Sequence, residues 1–152
     1  MKRVLALTMA MIVCLASFAG CGSKEVKLDE VMSKINSEFS LSLKSIDSVD
    51  ELNKYYSINA DDVKQFAAEI DSNNNAPVEI VMVEANDKAA ADNIASALGQ
   101  RYNSIISQYA SYTPDKLDMV KKCKVTNENN FVTLIVAENG EAILKSFNES
   151  IQ

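Results

Sequence analysis

Residues 78–85 read Val-Glu-Ile-Val-Met-Val-Glu-Ala, with apolar side chains at odd and even positions alike through the middle. As a strand this run shows Val78, Ile80 and Met82 on one face and Val81 and Val83 on the other, flanked by Glu79. Such a strand needs cover on both sides of its sheet. The next apolar residues are Ile94, Leu98, Tyr102, Ile105 and Tyr109, stepping by four, four, three and four, which is one stripe of a helix. Asn86 stands as its cap, and the helix is expected over about 87–110. A strand feeding directly into a helix this long commits the chain to a sheet packed with helices.

The remaining segments are shorter. Leu28, Val31, Met32, Ile35 and Phe39 have the spacing of one helical stripe, and residues 41–47 read as an irregular connection. Ser48-Val49-Asp50-Glu51 has the capping-box form ahead of a short helix carrying Leu52, Tyr55 and Tyr56. Asn59-Ala60-Asp61-Asp62 reads as another helix start, with Val63, Phe66, Ala67 and Ile70 turned inward. Residues 71–77, rich in Asn and ending in Pro77, form a loop. Gly99 costs its helix about 1 kcal/mol relative to alanine, and the expectation is that it lets a neighbouring backbone approach. Thr113-Pro114 closes the long helix.

Lys122-Cys123-Lys124-Val125-Thr126 alternates lysine with apolar groups, as a protected edge strand does. A hairpin turn at residues 127–130 leads to the apolar run 131–137, and Asn139-Gly140-Glu141 opens a last helix with Ile143, Leu144, Phe147 and Ile151 inward. The expected fold is α+β: a small, mainly antiparallel three-stranded sheet. The 131–137 strand lies between the other two in a split β-α-β arrangement, and helices pack on the sheet.

The amino terminus sets the location. Lys2 and Arg3 precede an apolar run from Val4 to Phe18 and then Ala19-Gly20-Cys21, the order of a secretory signal. Phe18-Ala19-Gly20-Cys21 resembles the lipobox of bacterial lipoproteins. The resemblance implies removal of residues 1–20 and attachment of lipid at Cys21, through a diacylglyceryl thioether and palmitate-type acyl chains. Each buried CH₂ contributes about 0.8 kcal/mol, so one chain binds marginally and two hold firmly. Residues 21–27 would be a tether and 28–152 one domain. Two other readings of the stretch are an uncleaved anchor, since residues 4–22 approach the roughly 20 needed to span a bilayer, and ordinary secretion with Cys21 a plain thiol.

Lys2 and Arg3 are two of the 15 basic residues, so a chain starting at Cys21 carries 13 against 21 acidic ones, near −8. That charge repels polyanions, and no nucleic-acid partner is expected. With Cys14 in the signal and Cys21 lipidated, Cys123 remains alone, so an internal disulfide is ruled out and a small buried thiol is expected. The chain has no His, which excludes Ser-His-Asp triads and His-bearing zinc sites. Beyond the amino terminus only Gly99 and Gly140 are glycine, too few for a phosphate loop. No cofactor, metal or catalytic residue is expected.

The candidate chemistry is sparse. Asp71, Asn73 and Asn75 match the first, third and fifth positions of a calcium loop, but Ala76 and Met82 fail the sixth and twelfth. Asp61 and Asp62 diverge on a helix and act as capping charge, as do Asp47, Asp50 and Glu51. Arg101 borders the long helix's stripe; it has the fork to clamp a ligand carboxylate, against the plainer role of covering apolar surface and pairing with a nearby acid. Tyr55, Tyr56, Tyr102, Tyr109 and Tyr112 supply the aromatic richness, either as a sugar- or peptide-binding patch or as core with hydroxyls at its rim. Arg101, Tyr109 and Tyr112 are the candidate contacts for a ligand or partner.

Tyr56-Ser-Ile-Asn-Ala-Asp-Asp-Val63, the strand and long helix with Arg101, Tyr112-Thr-Pro114 and Asn130-Phe131-Val132 together resemble a small lipoprotein family of Gram-positive anaerobes, described as domain of unknown function 4358. Ser57 and Asn129 stand where that pattern has glycine. The resemblance implies a location and a domain shape and carries no mechanism. The expectation is a lipid-anchored extracytoplasmic protein on the cell membrane, a non-catalytic binding or scaffolding domain for an envelope partner. The alternatives are a small-ligand receptor for solute, sugar or peptide, and an enzyme using carboxylates or Cys123.

Overall fold

The computed structural model describes residues 25–71 and 78–152. The signal, Cys21, most of the tether and the Asn-rich loop after Asp71 lie outside the described residues. The elements in order are α1 (Leu28–Phe39), β1 (Lys44–Ser45), α2 (Val49–Tyr56), a 3₁₀ turn (Ala60–Asp62), β2 (Val63–Ile70), β3 (Glu79–Ala85), α3 (Lys88–Tyr112), α4 (Pro114–Lys122), β4 (Lys124–Glu128), β5 (Phe131–Val136) and α5 (Gly140–Ser150). The strands make one antiparallel sheet in the order β1-β2-β3-β5-β4.

The expected three strands are therefore five. Their mutual order holds, with β5 between β3 and β4 and antiparallel to both, and the lysine-bearing β4 is an edge. What the expectation lacked was a second hairpin, β2 on β3, with β1 added outside it.

Both faces of β3 are covered. Val81, Val83 and Ala85 join Ile94, Leu98 and Ile105 of α3, Leu52 and Tyr56 of α2 and Val120 of α4 in one cluster. Ile80 and Met82 join Leu28 and Ile35 of α1 and Ile143 and Phe147 of α5 in the other. Thr133, fully buried in β5, is satisfied by a 2.7 Å bond with Thr126 across the β4–β5 pair.

Residues 63–70, expected as helix, are strand β2. Asn59 caps a single 3₁₀ turn, its carboxamide oxygen accepting from the Asp61 amide, and the backbone then extends. The register shifts between Val63 and Gln65, a β-bulge, so Val63 packs into the same cluster as Phe66 and Ile70. A bulge turns the two-residue step of a strand into a three-residue one, and the resulting 63, 66, 70 spacing imitates a helical stripe.

Pro114 closes α3, and it also occupies the first turn of α4, where its missing N–H costs nothing. The cap of α3 is Asp87, one residue after Asn86, and its carboxylate accepts from the Ala90 amide at 2.9 Å. A methyl group built on Gly99 would meet nothing within 4 Å, so no backbone approaches there.

The capping box of α2 forms with a shift. Ser48 Oγ accepts from the Glu51 amide at 3.2 Å, while Glu51 reaches the amide of Asp47 at 3.1 Å. Ser57 ends α2 at φ 57°, and Asn129 and Asn130 join β4 to β5 at φ 52° and 67°. Two consecutive positive φ values make the tight hairpin turn whose twist suits its strands. Ser57 and Asn129 thus sit in the left-handed region that glycine enters without penalty.

Candidate functional site

The two ends of the sheet gather the polar chemistry. At one end Glu79 begins β3, and its side chain follows the alternation of Val81 and Val83 toward α3. Thirteen residues into α3, Arg101 reaches it: Nε donates to Glu79 Oε2 at 3.1 Å and an Nη donates to Oε1, a two-pronged pair. The Glu79 side chain is 10% exposed and that of Arg101 33%. Burial and the tyrosines beside them make this a dry corner. Tyr56 at the end of α2 is 3% exposed, and its hydroxyl has no aligned hydrogen-bond partner among the described residues. Burial first, and then the negative charge of Glu79, raise the Tyr56 hydroxyl well above the usual tyrosine range. Tyr109, half-buried on α3, is also raised, by burial and by Glu79 and Asp71. Hydrogen bonding to Glu79 holds the Arg101 guanidinium more firmly protonated.

At the opposite end an open groove of about 770 Å³ lies between the start of α1, the near ends of β2, β3 and β5, and the carboxyl end of α5. Lys27, Lys34, Lys64, Glu84 and Glu149 line it with Phe131 and Ile151. Gln65 clasps the chain where it enters: its Nε2 donates to the Val26 carbonyl at 2.7 Å and to Glu84 at 2.6 Å, and its Oε1 accepts from the Leu28 amide at 3.0 Å. The lysine ends of the ion pairs here are open to water, while the Glu84 side chain is only 15% exposed. Lys64 meets Glu84 at 2.7 Å and Lys27 meets Glu30 at 3.0 Å, with both lysines at least half exposed.

Of the residues singled out in the sequence, Arg101 and Tyr109 come together around Glu79, while Tyr112 stands 83% exposed at the end of α3. Arg101 spends its fork on an acid of its own chain. Tyr102 is rim-type core, its hydroxyl donating to the Val120 carbonyl at 3.0 Å. Asp61 and Asp62 act mainly through their backbone: Asn86 donates from its amide to the Asp62 carbonyl at 3.0 Å and from its carboxamide to that of Asp61 at 2.7 Å. Cys123 is half-buried at the end of α4, its thiol pushed up by burial, which leaves little thiolate at neutral pH. Sequence reasoning passed over Glu79 and Gln65. The signal for both is a charged or amide residue inside a strand whose neighbours are buried, a position that calls for a partner.

Among the described residues no group of three acidic or cysteine side chains is placed to hold a metal ion, and no helix is long and apolar enough to cross a membrane.

Residues 24–137 match the model of the family described as Domain of unknown function (DUF4358), and the chain belongs to that family. No curated protein and no solved structure shows significant similarity to it.

Proposed function

We propose that this member of the family is a lipid-anchored protein of the extracytoplasmic face of the cell membrane, whose α+β domain binds or scaffolds an envelope partner without catalysis of its own. The observation that carries the reading is the order at the amino terminus: Lys2-Arg3, an apolar run, then Ala19-Gly20-Cys21. A charge near −8 on the chain from Cys21 adds solubility and no attraction to anionic lipid, so acyl chains would supply the attachment. The internal use of Arg101 by Glu79 supports a structural role for the most chemistry-like pair in the chain.

The test is fractionation of cells expressing the full chain. Cys21→Ser is expected to move it from the membrane fraction to the soluble or secreted one. Equal membrane retention by the variant would remove the anchor from the account.

The groove gives a second reading some weight, because about 770 Å³ falls within the roughly 300–1,000 Å³ of small-molecule sites. In that reading the domain captures a solute, sugar or peptide beside the membrane. A thermal-shift screen with sugars, peptides and metal ions separates the two, since a ligand that binds the folded state raises the midpoint with concentration.

A further inference from the structure

We propose that the groove end of the domain rests on the headgroup layer of the membrane that holds Cys21, with the junction of α3 and α4 on the side away from it. This rests on the lipid anchor proposed above. Cys21 and Glu25 are separated by four peptide steps, which reach at most about 14 Å when fully extended. Glu25 itself lines the groove. The exit cannot swing round the domain, because Gln65 grips the Val26 carbonyl and the Leu28 amide on either side of Lys27. A chain anchored at Cys21 therefore brings this end, and no other, within reach of the headgroups.

The directions of the elements fix what faces outward. β3 ends at the groove with Glu84, and α3 starts there and runs back across the sheet to pair Arg101 with Glu79 at the far end. At 1.5 Å per residue, the helix continues about 16 Å past Arg101 to the exposed Tyr112.

Charge selects the kind of surface. The domain as a whole is acidic, but the groove mixes Lys27, Lys34 and Lys64 with Glu25, Glu84 and Glu149. Lys34 Nζ is held by a neutral partner, Ser150 Oγ at 3.1 Å, leaving its charge available to a phosphate. Glu149 lies on the same wall, and its loose 3.8 Å pair with Lys145, exposed on both sides, leaves the carboxylate able to meet an ammonium group. Lysine and glutamate side by side suit a zwitterionic headgroup of the phosphatidylethanolamine type, which carries both charges.

The experiment uses the full chain, lipidated in a bacterial host and reconstituted in phosphatidylethanolamine–phosphatidylcholine vesicles containing a lipid with a nitroxide quencher on its headgroup. A single dye is placed through Gln152→Cys, also on the groove, or Tyr112→Cys, each with Cys123→Ser. Flotation of the same vesicles reports attachment. The expected result is several-fold stronger quenching at position 152 than at 112, with Lys34→Glu lowering the signal at 152 while flotation is unchanged. Equal or reversed quenching in floating vesicles overturns the orientation and leaves the anchor standing. Quenching at 152 that ignores Lys34→Glu overturns the headgroup contact. Vesicles that float without the protein overturn the anchor, and the orientation with it.

Discussion

The two ends of the sheet treat charge differently, above all on the cation side. Around Glu79 one ion pair is drawn into a corner walled by Tyr56 and Tyr109, with its carboxylate almost dry. At the groove, Lys27–Glu30 stands in water on both sides, and Glu84, 15% exposed, is shared between the half-exposed Lys64 and the amide of Gln65, which also grips the Val26 carbonyl and the Leu28 amide. Losing one partner of a pair matters only where water cannot replace it. The Glu79 end holds both partners of its pair against protein, while the lysines of the groove end keep their charges in water.

Substitutions can break or sharpen that contrast. The largest effect is expected from Arg101→Ala, which strands the Glu79 carboxylate in its corner. Breaking a buried pair costs about 3–5 kcal/mol, and with Arg101 a third exposed we expect about 2–3 kcal/mol in urea unfolding. Replacing both partners with Met should cost less than Arg101→Ala alone, since no charge is left unpaired. A loss for Arg101→Ala no larger than for a groove lysine would erase the difference between the ends.

Gln65→Ala comes next. It leaves the Leu28 amide and Val26 carbonyl without their partner, at about 1–3 kcal/mol, and hydrogen exchange should show residues 26–28 opening first. Gly99→Ala, two residues before Arg101 and clear of charge, should stabilise by about 1 kcal/mol because the added methyl meets open space.

Tyr56→Phe tests the dry corner by pH. The folded hydroxyl is raised above its unfolded value, so the stability it supports is complete below the ordinary tyrosine pKa of about 10 and is lost as pH rises beyond it. Unfolding curves at neutral and strongly alkaline pH should therefore differ less in Tyr56→Phe than in the parent. Lys27→Ala should be the smallest change, with no resolvable shift in the thermal midpoint, because its pair with Glu30 is exposed on both sides.

Much of this architecture was legible in the residues. The apolar faces of β3 and the stripe of α3 each carry one clear period and formed where that period placed them, while the lysine-bearing strand expected at 122–126 runs from Lys124 to Glu128 because Lys122 ends α4. Residues 44–45 and 63–70, on either side of a capping box and short helix that did form as expected, did not read correctly, for two physical reasons. β1 is two exposed residues that leave no pattern, and the bulge near Gln65 gives β2 a helix-like spacing. α4 was missed because it buries only Val120 fully, although Pro114 at its start and Lys121 and Lys122 in its last turn were available as signals. At the site, Arg101 and Tyr109 were found from helical spacing. Glu79, the residue that joins them, was seen as a strand flank because its partner lies 22 positions away in sequence.

Mass spectrometry of the chain isolated from its native membrane tests the central claim most directly. The account predicts a mature polypeptide that begins at Cys21 and carries the added mass of a diacylglyceryl group on that residue. A chain beginning elsewhere, or Cys21 with a free thiol, would contradict it.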